Sequence, residues 1–131
     1  MGGFSNYWED KILDYVFSKG SYTPPTIHVA LSTEDPLDDA SGFSEPTGNS
    51  YARVETSSSD WNTASGGILN NAGDVIFPKT TGSWGTVTHF ALFDAATGGN
   101  MLAYGALSQP ITIESSYTAL FDAGDLNISL D

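Results

Sequence analysis

Residues 86–104 of the chain read TVTHFALFDAATGGNMLAY, and this stretch predicts a β-hairpin. The run 86–94 is rich in β-branched and aromatic residues, which favour strands, and a second apolar run follows at 101–106. Between the two runs, Gly98 and Gly99 can adopt the positive φ angles that a tight return of the chain requires. We therefore expect the two strands to pair in antiparallel fashion.

Shorter strands are expected on both sides of this hairpin. Ile27, Val29 and Leu31 alternate with small or polar residues, which indicates a strand with one buried face. Further short runs, separated by Gly, Asn, Ser and Asp, predict strands near 51–55, 67–71, 75–78, 110–113 and 125–130. This spacing favours a mainly β fold, either an antiparallel β-sandwich or a barrel-like, jelly-roll-like domain.

One N-terminal α-helix is expected at about residues 6–18. Ser5 or Asn6 can cap its first turn, and Glu9 stands in capping-box position relative to Asn6. Apolar side chains follow at helical spacing, namely Trp8, Ile12, Tyr15 and Val16. Gly20 favours the end of the helix, and the Pro-Pro pair that follows prevents its continuation.

The chain is expected to form one domain, residues 1–131, since a chain of this length buries roughly two thirds of its surface in a single core. Its 40% hydrophobic and 12% aromatic content supports such a core, and no repeat or low-complexity segment interrupts it. Residues 33–50 form a long acidic loop in which Phe43 is the only large aromatic residue. Loops of this length usually contact a partner.

The composition disfavours several classes of partner and of chemistry. Four Lys and Arg residues stand against 16 Asp and Glu residues, and the net charge of -12 repels nucleic acid and anionic membrane surfaces. No run approaches the roughly 20 apolar residues that span a bilayer, and the N-terminus has no secretion signal. The absence of Cys excludes disulfides, thiolate catalysis and Cys-based zinc sites, and it fits synthesis in a reducing cytoplasm.

No catalytic or cofactor-binding residue is predicted. His28 and His89 lie in expected strands, where a hydrogen-bonded structural role is usual. The residues near His89 that a catalytic triad could use are Thr86, Thr88 and Asp94, but the Gly-x-Ser-x-Gly nucleophile motif is absent. Glu55 and Asp60 could form a glycosidase pair, yet their spacing in sequence does not indicate the separation that such an enzyme needs. We therefore expect that the chain is not an enzyme.

Two features leave alternatives open. The long loop carries a cluster of carboxylates, namely Glu34, Asp35, Asp38 and Asp39. Such a cluster is usually a solvated surface and no metal site is predicted, although calcium also prefers several oxygen ligands at close range. Trp61 and Trp84 stand beside Asn, Ser or Gly and are expected in the core, at a protein interface or in a carbohydrate-binding platform.

Several stretches occur in an order that resembles a known family. They are SNYWE (5–9), YTPP (22–25), IHVALST (27–33), GNSYAR (48–53), NAGDVIFP (71–78), WGTVTHFALFDA (84–95) and FDAGDL (121–126). This order is similar to that of small virion structural proteins of tailed bacteriophages, the head decoration (cement) and tail fibre-type proteins. The resemblance spans nearly the whole chain, and it implies a structural role without catalytic residues.

The first hypothesis that the resemblance implies is a capsid decoration (cement) protein. Such a protein is made in the host cytoplasm and binds the major capsid protein on the capsid surface of the virion. It stabilises the lattice in many copies, as a homo-oligomer, because repeated contacts add avidity. Termini and long loops have the greatest reach, so the expected partner contacts are Phe4, Tyr7, Trp8, Asp35, Asp38, Asp39 and Phe43.

The alternative hypothesis is a tail-associated or tail-fibre protein that contacts a host receptor. In that case Trp61, Trp84 and the Tyr-rich loops are expected to bind a host glycan, since aromatic rings stack on sugar faces.

Overall fold

The structure is a computed structural model that describes residues 2–130, and within them the chain is mainly β with one α-helix near the N-terminus, as the sequence predicts. The helix α1 spans Asn6–Val16, and a short 3₁₀ turn spans Ser58–Asp60. The described strands are β1 Gly2–Phe4, β2 His28–Ser32, β3 Val54–Glu55, β4 Ile68–Asn70, β5 Val75–Ile76, β6 Gly85–Phe93, β7 Met101–Ile113, β8 Leu120–Phe121 and β9 Asn127–Ser129. No helix in residues 2–130 has the length and apolar character that crossing a membrane requires.

Seven of the described strands form one sheet that curls into a half-barrel, in agreement with the expected barrel-like fold. Their spatial order is β3-β2-β6-β7-β1-β9-β4, and β5 pairs with β8 in a separate two-stranded sheet. The pairs within residues 2–130 are antiparallel except β1 with β9, which run parallel. β1, the N-terminal strand, lies between β7 and β9, two strands from the C-terminal half of the chain.

The hairpin predicted at 86–104 forms the middle of this sheet. β6 and β7 pair antiparallel, and Gly98 (φ 60°) and Gly99 (φ 74°) take the predicted positive φ angles in the turn. The strands expected at 101–106 and 110–113 are one long strand, β7, with an irregular register between them. The hairpin therefore supplies a continuous frame on which the other strands assemble.

β2 is buried on both faces, whereas its alternating sequence predicts one buried face. All five of its residues are buried. Leu31 faces the main core, and Ala30 faces a second apolar cluster that Phe43 of the long loop covers. The Ser44 N–H donates a hydrogen bond to the Ser32 hydroxyl of β2 at 3.0 Å, which fastens the loop to the strand. The loop therefore serves as the cover of this face.

β1 occupies a place in the sheet that the sequence analysis does not predict. Gly2 and Gly3 have low strand propensity, yet they pair with β7 on one side, and Gly2 pairs with β9 on the other. A Cβ added at Gly105 of β7 would lie 2.6 Å from the Cα of Gly2. Glycine is therefore required here, because the two backbones approach more closely than any side chain allows.

α1 begins at the predicted position and ends slightly earlier. The Ser5 hydroxyl accepts a hydrogen bond from the Trp8 N–H at 3.3 Å, so Ser5 rather than Asn6 is the N-cap, and the capping box expected with Glu9 does not form. Ser18 (φ 58°), rather than Gly20, takes the left-handed conformation after the helix.

We expect Gly105→Ala to lower the free energy of unfolding by about 1–3 kcal/mol, because the new methyl group overlaps the backbone of β1. Urea denaturation followed by circular dichroism measures the change. The matched control is Gly3→Ala in β1, whose added Cβ meets no atom within 4 Å. Equal stabilities of the two variants would contradict the close approach of β1 and β7.

Candidate binding groove

An apolar groove of about 540 Å³ opens beside the first turn of α1, and we refer to it as the groove. Three aromatic side chains line it, Phe4 from β1, Trp8 from α1 and Trp61 after the 3₁₀ turn. Its aliphatic lining is Pro24, Pro25, Ile27, Ile68, Leu69, Leu92, Ile128 and Leu130. The groove thus extends from the main apolar core of the half-barrel to the protein surface.

Hydrogen bonds hold the two indole rings of the groove in place. The Trp8 Nε1–H donates to the Tyr22 hydroxyl at 2.9 Å, and the Trp61 Nε1–H donates to the Thr56 hydroxyl at 3.0 Å. The Phe4 and Trp8 rings pack against each other with centroids 4.5 Å apart. Because both indole N–H groups have partners within the chain, the rings offer mainly apolar surface to an occupant.

Among residues 2–130, no ionisable side chain lines the groove. Its polar side chains are those of Ser58, Asn62 and Thr63. A sugar needs many directed hydrogen bonds, whereas an apolar side chain needs only a water-free surface of suitable shape. The arrangement therefore fits an apolar segment of a protein better than a glycan.

The structure brings some of the expected contact residues together. Phe4 and Trp8 meet in the groove. Tyr7, Asp38 and Asp39 meet in a separate cleft of about 170 Å³ between α1 and the long loop. Asp35 lies elsewhere, with its carboxylate 3.9 Å from Nε2 of His89.

The loop carboxylates bind groups of their own chain. Asp35 accepts a hydrogen bond from the Leu37 N–H, and Asp39 accepts one from the Ser41 N–H. The hydrogen bonds from Ser41 lower the pKa of Asp39. Within residues 2–130 the structure contains no group of three His, Asp or Glu side chains that could hold a metal ion.

Asp38 binds the hydroxyl of Tyr104 on β7. This hydrogen bond raises the pKa of Tyr104 to about 12, because the phenolate would face the carboxylate.

Phe43, the remaining expected contact residue, packs inside the domain. Its ring lies 4.7 Å from that of Phe93, and the Arg53 guanidinium lies 3.9 Å from the Phe93 ring centroid. Arg53 also forms an ion pair with Glu45 at 2.8 Å and donates to the carbonyls of the hairpin turn, at Ala95 (2.9 Å) and Gly98 (2.8 Å). We call this set of contacts the Arg53 clamp. It joins the long loop, the approach to β3 and the hairpin turn.

The structure separates the two tryptophans of uncertain role. Trp84 is buried and packs edge-on against Tyr51 with centroids 5.1 Å apart, and its Nε1–H donates to the Asn49 carbonyl. The core interpretation is confirmed for Trp84, whereas Trp61 is half-buried in the wall of the groove.

The two histidines lie in strands, as expected. His28 is buried in β2. His89 binds the Thr88 hydroxyl at 2.8 Å through Nδ1, whereas Asp94 binds the Asn100 N–H at 2.7 Å and so does not orient the imidazole. The candidate glycosidase residue Asp60 accepts from the Ser57 N–H in the 3₁₀ turn, and Glu55 is exposed on β3.

The sequence analysis did not identify most of the groove. The groove combines residues from separate segments, such as Pro24, Ile68 and Leu130, and no local pattern joins them. Arg53 carried a clearer signal, since it is one of four cationic residues in a strongly acidic chain and lies in an expected strand. An arginine within a strand of a strongly acidic protein usually has a buried partner.

A family model described as podophage GP4 fiber I protein gp80 (Gp80) matches residues 3–129 of the chain. The match runs from β1 to β9 and includes the Arg53 clamp and every lining residue of the groove except Leu130. No curated protein matches the chain.

We expect Arg53→Met to lower the free energy of unfolding by about 3 kcal/mol, because the Glu45 carboxylate, in a largely buried site, loses its cationic partner and keeps the Tyr51 hydroxyl as a donor. Urea denaturation measures the loss. Lys79→Met, which removes an exposed cation, is the control and should change the value by less than about 0.5 kcal/mol. A similar small change for Arg53→Met would show that the clamp does not stabilise the fold.

We expect Asp38→Asn to lower the pKa of Tyr104 from about 12 towards the ordinary value of 10.0, because the carboxylate no longer opposes the phenolate. The ultraviolet absorbance of tyrosinate during a pH titration measures this pKa. Since the folded-state pKa is raised, the contribution to stability is complete below pH 10.0 and is lost as the pH rises to about 12. An unchanged titration of Tyr104 in the variant would contradict the assignment.

Proposed function

Because the chain belongs to the podophage GP4 fiber I protein gp80 family, a family of phage virion structural proteins, we propose that it is a structural subunit of a fibre on a podophage particle. The observation that carries the proposal is the match over residues 3–129, which includes nearly every element of the domain. The family supports a role in the virion. The position in a fibre is proposed from the description of the family.

The groove gives this role a physical means of attachment. The aromatic and aliphatic lining that the described residues supply is neutral, so an apolar segment of a neighbouring virion protein can bind there without burying a charge of this lining. Each large apolar side chain that is fully covered contributes about 1.5–3 kcal/mol. A few such anchors suffice for a stable contact when many copies act together.

The surroundings of the groove suit a protein that binds its partner in a fixed geometry. The indole rings are fixed by hydrogen bonds, and each face of the sheet carries a buried apolar cluster. A pre-organised surface loses little conformational entropy when a partner binds. The cleft with Tyr7, Asp38 and Asp39 offers a second, polar contact beside the groove.

Capsid decoration, with the major capsid protein as the partner, is the second candidate. The same groove can attach the domain to a capsid lattice or to a fibre, so the two candidates differ in location rather than in the binding mechanism. The description of the family favours the fibre. A host glycan is a weaker candidate for the groove, because Trp84 lies in the core and the lining has few polar groups.

Labelling of intact particles separates the two candidates. We expect gold-conjugated antibodies against this chain to bind at the tail in a small number of positions per particle, as visible by electron microscopy. Uniform labelling of the head, in proportion to the capsid lattice, would overturn the fibre proposal and support decoration. Particles that lack the chain serve as the control for unspecific labelling.

A further inference from the structure

The second half of α1 carries an apolar surface that the rest of the described chain leaves uncovered. None of the residues of α1, Asn6–Val16, is buried. Leu13 and Val16, together with Phe17 directly after the helix, have 56%, 65% and 69% of their surfaces exposed. We call these three side chains the α1 ridge. A contiguous exposed apolar group of this kind is typical of an interaction surface.

The α1 ridge has the spacing of a helix that binds a partner. Its members stand at positions i, i+3 and i+4, which lie on one side of a helix. The Phe17 N–H donates to the Leu13 carbonyl at 3.0 Å, so Phe17 completes the last turn and its side chain continues the same face.

Three carboxylates surround the α1 ridge. Glu9 and Asp10 stand at i−4 and i−3 from Leu13, and Asp14 stands at i−3 from Phe17. All three are exposed, and within the described part of the chain none of them forms an ion pair. We call these three residues the acidic border. The apolar surface is therefore bounded by negative charges that have no cationic partner in the structure.

The two lysines near the helix do not neutralise the acidic border. Lys11 lies two residues from Leu13 and thus on another side of the helix, and its Nζ stands 5.7 Å from the centroid of the Tyr7 ring. Lys19 lies beyond Ser18, whose positive φ angle turns the chain out of the helix. The face that carries the α1 ridge is therefore negative.

The C-terminal end of the helix adds to this negative potential. Aligned peptide dipoles place about half a negative elementary charge at the end of a helix, where cations are favourable. The last turn of α1 contains no basic residue. A cation beside Val16 and Phe17 would therefore be attracted both by the helix and by the acidic border.

We propose that the α1 ridge binds a cationic amphipathic segment of another protein, in which Lys or Arg side chains flank large apolar ones. The apolar side chains of such a segment cover the α1 ridge, and its cations meet the acidic border and the end of the helix. A chain with a net charge of -12 attracts a basic partner and repels an acidic one, including a second copy of itself.

The α1 ridge is separate from the groove, to which α1 contributes only Trp8. The proposal goes beyond the fibre assignment, because it states the chemistry of a second partner surface. It holds equally for a domain on the tail and for one on the head of the particle.

Fluorescence anisotropy with a labelled amphipathic peptide of Leu and Lys tests the proposal on the purified full-length chain at about 0.15 M salt. The ridge variant is Leu13→Gln with Phe17→Gln. Its matched control, at two positions of β5 and β8 that are 55% and 46% exposed, is Ile76→Gln with Leu120→Gln.

A second pair of variants tests the charges. The border variant removes the three carboxylates of the acidic border, by Glu9→Gln, Asp10→Asn and Asp14→Asn. Its control removes the same number of exposed carboxylates elsewhere, by Glu55→Gln, Glu114→Gln and Asp122→Asn. Circular dichroism verifies that all four variants are folded.

We expect the ridge variant and the border variant each to weaken binding of the peptide about tenfold or more, the scale of losing an interface hot spot. Each control should weaken binding less than about threefold, because salt screens charges that lie outside the contact. A peptide with Glu in place of every Lys should not bind.

Three results with the peptide would overturn the proposal. One is an unaltered chain that does not bind it. Another is a ridge variant that binds as tightly as the unaltered chain. The third is an equal loss in the border variant and its control, since the overall charge of the chain would then explain the binding.

Two further measurements distinguish other occupants of the α1 ridge. Self-association in sedimentation velocity that the ridge substitutions abolish would assign this surface to a second copy and overturn the proposal. Binding to phosphatidylcholine vesicles that the same substitutions abolish would assign it to a lipid surface, with the same consequence. None of these results bears on the fibre assignment, which the labelling of particles tests separately.

Discussion

The Arg53 clamp is the interaction on which the arrangement of this domain depends. One guanidinium binds a carboxylate of the long loop and two carbonyls of the central hairpin turn, and it stacks on Phe93. These contacts hold the loop over the outer face of β2 and β6, where Phe43 completes the second apolar cluster. A sheet covered on that side can use its other face for the main core and for the groove.

This division of the sheet explains why a small acidic protein can present a rigid apolar surface. The groove is the part of the main face that the chain leaves open, and its rings are fixed from behind by Tyr22 and Thr56. The carboxylates of the long loop, by contrast, bind nearby N–H groups and the Tyr104 hydroxyl. Attachment through apolar contact and an acidic exterior are therefore compatible in one domain.

The parts of the fold that depend on local sequence could be predicted. The hairpin follows from two apolar runs around Gly98 and Gly99, and the start of α1 follows from its capping residues. The central position of β1 could not be predicted, because it depends on close backbone contact with Gly105, about a hundred residues away in the sequence. In the candidate site, Phe4 and Trp8 were expected as contacts, but the groove that unites them with Ile68 and Leu130 is a product of the tertiary fold.

The position of β1 between β7 and β9 also sets an order of events during synthesis. Gly2 leaves the ribosome long before its neighbour in the sheet, Ile128, which lies 126 residues later in the chain. Until β9 emerges, β1 is an unpaired edge of the sheet, and strands that pair over such distances form slowly. The groove, whose walls include Phe4 and Ile128, therefore forms only after β9 has been synthesised and has paired with β1.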